Sequence, residues 1–535
     1  MRQVGLVWRT IRHLTTRQLA GQVLSRLRGR GQLRLPGTTP VGFFLTVPEA
    51  SKPVSLVSET FTFLNQPVIM PEVNWNYADH GKLWTYNLNY FDFLNQHSAD
   101  ASELMPERGL GLISDFIRQT NRLCDGLEPY PTSLRIINWI QFLSRNQLQN
   151  DTINRHLYAQ ADLLRKRLEY HIAGNHLLEN GFALLTAALY FRQAAWFGQA
   201  VKLVRAELTT QLLADGGHDE RSPMYHQILL DRLFDVLLAV TYDTWCPDST
   251  LIQFLNDKAA RMLGWLNAIT FQNGDVPMLN DAAWNIAPTT GQLREKSLSL
   301  EIRPSGSSLQ LTNSDTGYRK FTSPRYELVA DVGAVGPDHQ PGHAHADTFS
   351  FVLYVDNQPL IVDSGTSTYE PGMRRVWERS TAAHNTVAVK NSNSSEVWAG
   401  FRVGQRARVT LLADQPTTLT ARHDGYLSLG IGIIHERTWV VAPEHVQITD
   451  RLIGSKTNQL ETGVARLHFH PDVPVSLAHM GIESDRVHVA FASEPAPELR
   501  LTTYQMATGF NQLQSALCVE IMFTNYLETR LMTTR

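Results

Sequence analysis

Cysteine is scarce in this chain: Cys124, Cys246 and Cys518 are the only three in 535 residues. Widely spaced and odd in number, they form neither a disulfide scaffold nor a thiolate metal cluster, so a reducing compartment is permitted. No apolar run approaches membrane-spanning length, which disfavours a transmembrane class. With 43% hydrophobic and 19% charged residues the composition is that of a globular protein, not a disordered one. A large excess of either charge is also missing. The formal net charge of −3 argues against a surface coated for nucleic acid and leaves room for a local basic groove suited to an anionic polymer. No strict internal repeat is visible. No uninterrupted apolar segment follows the first charges, so the amino terminus does not read as a secretory signal. The expectation is a cytoplasmic chain by default, with peripheral membrane association or non-standard export left open.

The length implies two or three domains. In the first 30 residues Arg2, Arg9, Arg12, Arg17, Arg26, Arg28 and Arg30 are interleaved with Val7, Trp8, Ile11, Leu14, Leu19, Val23, Leu24 and Leu27. This pattern predicts a basic amphipathic helix, docked on the protein body by preference, or otherwise on anionic lipid or a partner. From about residue 75 to 300 the apolar spacing is helical, as in Leu134, Ile137, Ile140 and Leu143. Successive amphipathic helices with short links predict a bundle or toroid. After about residue 320 the period becomes two, with a hairpin turn at Asp356-Asn357, which predicts a large antiparallel β domain. The expected division is a basic helix and extended lead-in over 1–74, an α/α toroid over 75–310 and an antiparallel β-sheet domain over 311–535. The last boundary falls in a serine-rich stretch.

Pro341-Gly342-His343-Ala344-His345-Ala346-Asp347 runs into the alternating segment Thr348–Val355. If already extended, the run puts His343, His345 and Asp347 on one face. Asp363 and His384 add two more ligand-type groups beside apolar runs. Imidazoles with carboxylates suit a borderline divalent cation such as zinc or manganese. On the helical side, Gly174-Asn175-His176-Leu177-Leu178-Glu179-Asn180-Gly181 places polar groups at a helix start, where Asn175 is an ordinary cap candidate. Ser222-Pro223 is a good start for the next helix. That leaves His218, Tyr225 and His226 unexplained.

Over roughly residues 80 to 410 the chain resembles the heparinase II/III-like polysaccharide lyases. The resemblance rests on five ordered segments: Leu83–Asp92, Asn175–Asn180, Asp215–His226, His343–Asp347 and Arg379–Thr386. It implies an N-terminal α/α toroid with a C-terminal β-sandwich-like domain, and β-elimination on a uronic-acid polymer. Glycosaminoglycans such as heparan sulfate, hyaluronan or chondroitin are the expected substrates, with alginate or a bacterial exopolysaccharide as the alternative. By the same resemblance Asn175, with His176 or His343 beside it, meets the substrate carboxylate, and Tyr225 is the catalytic tyrosine. His343 is the candidate base for uronates whose C5 hydrogen lies opposite the C4 oxygen, while Tyr225 alone serves as base and acid where the two share a face. His345, Asp363 and His384 are the implied ligands of one structural zinc or manganese ion, with Asp347 behind them. Asn87, Tyr86, Trp84, His218 and Arg379 are the candidate substrate contacts, Trp84 and Tyr86 being equally suited to the core, with Arg374, Arg375 and Arg402 as further candidates because arginine suits bidentate anions. Two other readings are a toroid-fold glycoside hydrolase using Asp219 or Glu220, and a polysaccharide-binding protein without catalysis.

Overall fold

The computed structural model describes residues 2–29, 31–97, 104–306, 311–454 and 461–534. Arg30 and the predicted 310/311 boundary therefore lie at or outside the described residues. Two helices open the chain, α1 (Arg2–Ile11) and α2 (Thr16–Leu27), the second started by a capping box between Thr15 and Gln18. A small antiparallel sheet follows, β1 (Leu56–Val57), β2 (Thr60–Phe63) and β3 (Gln66–Ile69). The helical region then runs through α3 (Lys82–Tyr90), α4 (Pro106–Gln119), α5 (Pro129–Arg145), α6 (Asp151–Lys166), α7 (Gly174–Tyr190), α8 (Ala194–Gln211), α9 (Pro223–Tyr242), α10 (Ser249–Ile269) and α11 (Thr290–Ser299). Central helices α5 and α7 are buried along almost their whole length. They pack between other helices, as a toroid requires, and bury polar side chains such as Arg135, Asn138 and Glu179 among their apolar ones.

β4 (Tyr318–Thr322), β5 (Tyr326–Asp331), β6 (Phe351–Val355) and β7 (Gln358–Ile361) form an antiparallel sheet buried on both faces. Alternation along β6 explains this. Val352 and Tyr354 join the helical core, while Phe351, Leu353 and Val355 join the core of the β domain. Tyr354 stacks on Phe271 just beyond α10, with ring centroids 4.0 Å apart, and so welds the two domains. The hairpin between β6 and β7 turns through Asp356 and Asn357, both at positive φ, as a two-residue turn needs. An eight-stranded, a second four-stranded and a two-stranded antiparallel sheet belong to the rest of the β domain.

The segment before β6 corrects one expectation. Residues 343–350 are turns and irregular backbone, not strand, and Phe349 stands at φ 69°. His343, His345 and Asp347 therefore do not share a strand face. The irregular run is held from behind by Arg437, which donates to the carbonyls of Phe349 and Asn385 and forms a two-oxygen ion pair with Asp450. His435 also contacts Asp450 at 2.7 Å. Burial pushes the Asp450 carboxyl up, but Arg437 and His435 outweigh it and hold it at about 2. Its folded-state value is depressed, so its contribution, roughly 2 kcal/mol, is present above the ordinary carboxylate range and lost as pH falls toward 2. Asp450→Asn is thus expected to unfold at lower denaturant than wild type at neutral pH, with the gap closing in acid. A constant gap would contradict the linkage.

Candidate active site

A cleft of about 1820 Å³ runs along the toroid and the adjoining β domain, lined among others by Asn87, Asn175, His176, Tyr225, His343 and Tyr369. The central residues come from three places. Gly174 and Asn175 open α7, with Ala173 and Gly174 both at positive φ. A β-carbon on Gly174 would stand 2.3 Å from Glu220 Oε1, so glycine lets that carboxylate close on the helix start. There the backbone N–H and the side-chain Nδ2 of Asn175 each donate to Glu220 at 2.9 Å. Asn175 is therefore not the expected cap: its amide donates, and its Oδ1 is buried without a partner. Carboxylate against helix N-terminus is also the favourable sense of the dipole.

Ser222 caps α9 by accepting from the Tyr225 N–H, with Pro223 at the first helical position, and this aims Tyr225 into the cleft. The Tyr225 ring lies on the imidazole of His343 at 4.1 Å between centroids, tilted 35°. Its hydroxyl is 3.0 Å from that of Tyr369. Burial, then the neighbouring Tyr369 and Asp281, push the Tyr225 phenol well above its ordinary value, so it stays protonated at neutral pH.

His343 Nδ1 lies 2.9 Å from Asp281 Oδ2, and its Nε2 lies 3.5 Å from Asn175 Nδ2. With Nδ1–H donated to the carboxylate, Nε2 is left as an acceptor beside the Asn175 amide, 3.7 Å from Glu220 Oε2. Asp281 is fully buried and gathers more: His345 Nε2 at 2.9 Å and the guanidinium of Arg375 on both oxygens. Burial alone would raise its carboxyl, but Arg375 and the two histidines outweigh it and hold Asp281 well below the carboxylate range. His176 lines the same cleft, its ring 4.2 Å from that of Tyr130 and its Nδ1 3.4 Å from Glu169. Burial lowers its affinity for a proton, but the Glu169 charge beside it leaves the net shift upward. The structure brings Asn175, His343 and Tyr225 together around one point, with His176 lining the same cleft.

Of the expected substrate contacts, Asn87 and Tyr86 line the cleft. Trp84, His218 and Arg379 are corrections. Trp84 is fully buried, its indole N–H donating to the Gln66 carbonyl and its ring packed edge-on against Phe63. His218 is buried against Gln211 at 3.0 Å. Arg379 is 1% exposed and donates only to backbone carbonyls, chiefly of Ala344 and Ala399, so it braces the loop that carries His343. Arg375 is likewise engaged with Asp281, and Arg374 with Glu378 and the Gln505 carbonyl. Arg402 remains at the rim, exposed, its guanidinium 5.5 Å from the centre of the Trp398 ring. Sequence reasoning missed Asp281, which sits in no motif, and saw Glu220 only as a possible hydrolytic acid.

Behind His343, His384 Nδ1 contacts Asp363 Oδ2 at 2.7 Å, and the His345 and His384 rings are 5.3 Å apart. His345 Nδ1, His384 Nε2 and Asp347 Oδ2 are buried with no hydrogen-bond partner. Among the described residues no three side chains already stand as a formed ligand set. Burial pushes the His345 imidazole down to about 4, so it is neutral, the form that binds metal.

Comparison with known proteins agrees with this architecture. The model of the heparinase II/III N-terminus matches residues 132–297, and that of the heparinase II/III-like C-terminal region matches residues 312–526. A heparin-sulfate lyase of Bacteroides stercoris is 22% identical over 327 residues, 56% of this chain and 46% of that protein. One from Pedobacter heparinus is 24% identical over 331 residues, 57% of this chain and 47% of that protein. The matched part spans about half the length of these relatives. The crystal structure of heparinase III superposes with a TM-score of 0.68 at 17% identity, covering 97% of this chain and 90% of that one. With both halves matched in order and the toroid and β-sheet fold shared throughout, this chain belongs to the heparinase II/III-like family.

Proposed function

We infer that the protein is a polysaccharide lyase that cuts a uronic-acid polymer, a glycosaminoglycan by first choice, by β-elimination. The observation that carries this is the contact of Tyr225 on His343 beside the Asn175 amide, at the floor of an open cleft. In elimination the C5–H bond breaks and its proton goes to a base. The electron pair forms the C4–C5 double bond, and the C4–O4 bond breaks as O4 takes a proton from an acid. No water is consumed. His343 Nε2, left as an acceptor by Asp281, is the base, and the protonated Tyr225 hydroxyl is the acid. The proton then returns from the imidazole to Tyr225 before the next turnover. Asn175 Nδ2 donates to the substrate carboxylate as charge develops on it, the role of an oxyanion-hole donor.

Ring contact at 4.1 Å leaves no space for a sugar between His343 and Tyr225. Base and acid therefore approach the sugar from one side, which favours uronates whose C5 hydrogen and C4 oxygen share a face, glucuronate and mannuronate; this departs from the expectation that Tyr225 alone serves such uronates, because its raised phenol is a poor base and His343 stands against it on the same side. The hydrolytic reading is weaker because neither Asp219 nor Glu220 lines the cleft. Ultraviolet absorbance of unsaturated uronate is expected to rise with hyaluronan, chondroitin or heparan sulfate, or with polymannuronate, and to stay flat with polyguluronate. New reducing ends without that absorbance would overturn the lyase reading. Cleavage of polyguluronate would overturn the one-sided geometry alone.

Arg402 is the cation placed to meet a carboxylate or sulfate at the rim. Arg402→Ala is expected to raise KM about tenfold with kcat little changed, the scale of one charge-assisted hydrogen bond; a loss confined to kcat would contradict this role.

His345, Asp363 and His384, with Asp347 beside them, would hold one divalent cation, zinc or manganese. The neutral His345 imidazole, the unpartnered Nε2 of His384 and the buried carboxylates are a suitable donor set. Bound there, the cation would tie the His343 loop to the β domain, a structural role. Chelation is then expected to lower thermal stability, by about 2.7 kcal/mol if the metal stood at a hundredfold its Kd. Metal analysis of the purified protein, with an unchanged melting curve after chelation as the contrary result, checks this.

A further inference from the structure

The first 48 residues contain eight arginines and no acidic residue; the first carboxylate of the chain is Glu49. In the structure α1 and α2 turn one face to the protein. Arg9 pairs with Glu396 at 2.5 Å, Gln18 Nε2 donates to the His339 carbonyl at 2.8 Å, and Arg17 lies 3.7 Å over the Tyr170 ring. Gly21 lies so close to His171 that a β-carbon would stand 3.0 Å from its backbone nitrogen. These contacts fix the helix pair on both domains, so its orientation is set.

Among the described residues the opposite face is apolar and open to solvent. Val4, Val7, Trp8 and Ile11 recur at helical spacing along α1, and Val23, Leu24 and Leu27 do so on α2 with Leu19 beside them. All are exposed, Trp8 by 63%, Val23 by 59% and Leu27 by 77%. Arg12, Arg26, Arg28 and Arg34 are exposed in the same segment. A helix pair already docked through its polar and small residues has no folding reason to present such a stripe to water.

We propose that this face binds an anionic lipid bilayer surface, holding the protein at a membrane with the apolar stripe in the interface. Charge decides the occupant. Arginines flanking an apolar stripe match acidic headgroups above an acyl boundary, and an exposed tryptophan suits the interface between them. The same face of a second copy would set arginines against arginines. An anionic polysaccharide would use the arginines but has no use for the leucines and valines.

The test is co-sedimentation of the full chain with vesicles of phosphatidylcholine alone and of phosphatidylcholine with phosphatidylglycerol, at low and high salt. Binding is expected about a thousandfold tighter to the anionic vesicles, at about 1 kcal/mol for each of four exposed arginines, and weaker as salt rises. The variant W8S/V23S/L27S is expected to keep its melting temperature and lose at least about tenfold of that binding. Equal or absent binding to both vesicles would overturn the proposal, as would a folded variant that binds like wild type. A dimer that disappears in the variant would assign the face to a second copy instead.

Discussion

Tyr225→Phe is expected to lower kcat by about 10²–10⁴-fold, the usual range for removing a positioned proton donor, while the protein remains folded and still binds polymer. The substitution keeps the ring, so the 4.1 Å packing on His343 that fills the cleft floor is retained. It removes the hydroxyl and leaves Tyr369 without its 3.0 Å partner. Turnover and polymer affinity measured separately distinguish the two effects. A Phe variant retaining more than about a tenth of wild-type turnover would make Tyr369 or water the proton donor and remove Tyr225 from the chemistry.

Asp281→Asn is expected to have the second largest effect, about 10³–10⁴-fold in kcat, because a neutral amide no longer dictates which nitrogen of His343 carries the proton. The same change leaves the buried Arg375 guanidinium without its charge partner, at a cost of about 3–5 kcal/mol in stability. The double variant Asp281→Asn, Arg375→Met separates these consequences. It is expected to recover stability, because no buried charge is then unpaired, and to stay inactive. Recovery of activity with stability would show that Asp281 acts on the fold and not on His343.

Asp281 also shows where the sequence is silent. Asn175, Tyr225 and His343 lie in segments whose local pattern marks them, as with Ser222-Pro223 starting α9, and those patterns predict the helix starts found. Asp281 lies in an irregular loop between α10 and α11, and its partners are 62 to 94 residues away in sequence. No periodicity signals a carboxylate whose role is set by three distant side chains. The arginines depart from expectation for a related reason: guanidinium chemistry suits anion binding, yet Arg375 and Arg379 are buried and bind carbonyls or Asp281. Trp84 was ambiguous between sugar platform and core aromatic, and burial assigns it to the core. The domain order was legible because the apolar period changes from helical to alternating. The irregular run before β6 was not, since Thr348–Val355 alternates throughout while only Phe351–Val355 is strand.

The most direct test of the account is the mass of the products from a defined glucuronate-containing oligosaccharide. Elimination moves a proton from C5 to O4 and adds nothing, so the two fragments are predicted to sum to the parent mass, with the double bond on the fragment carrying the new non-reducing end. Fragments that together exceed the parent by one water would show hydrolysis and contradict the roles assigned to His343 and Tyr225.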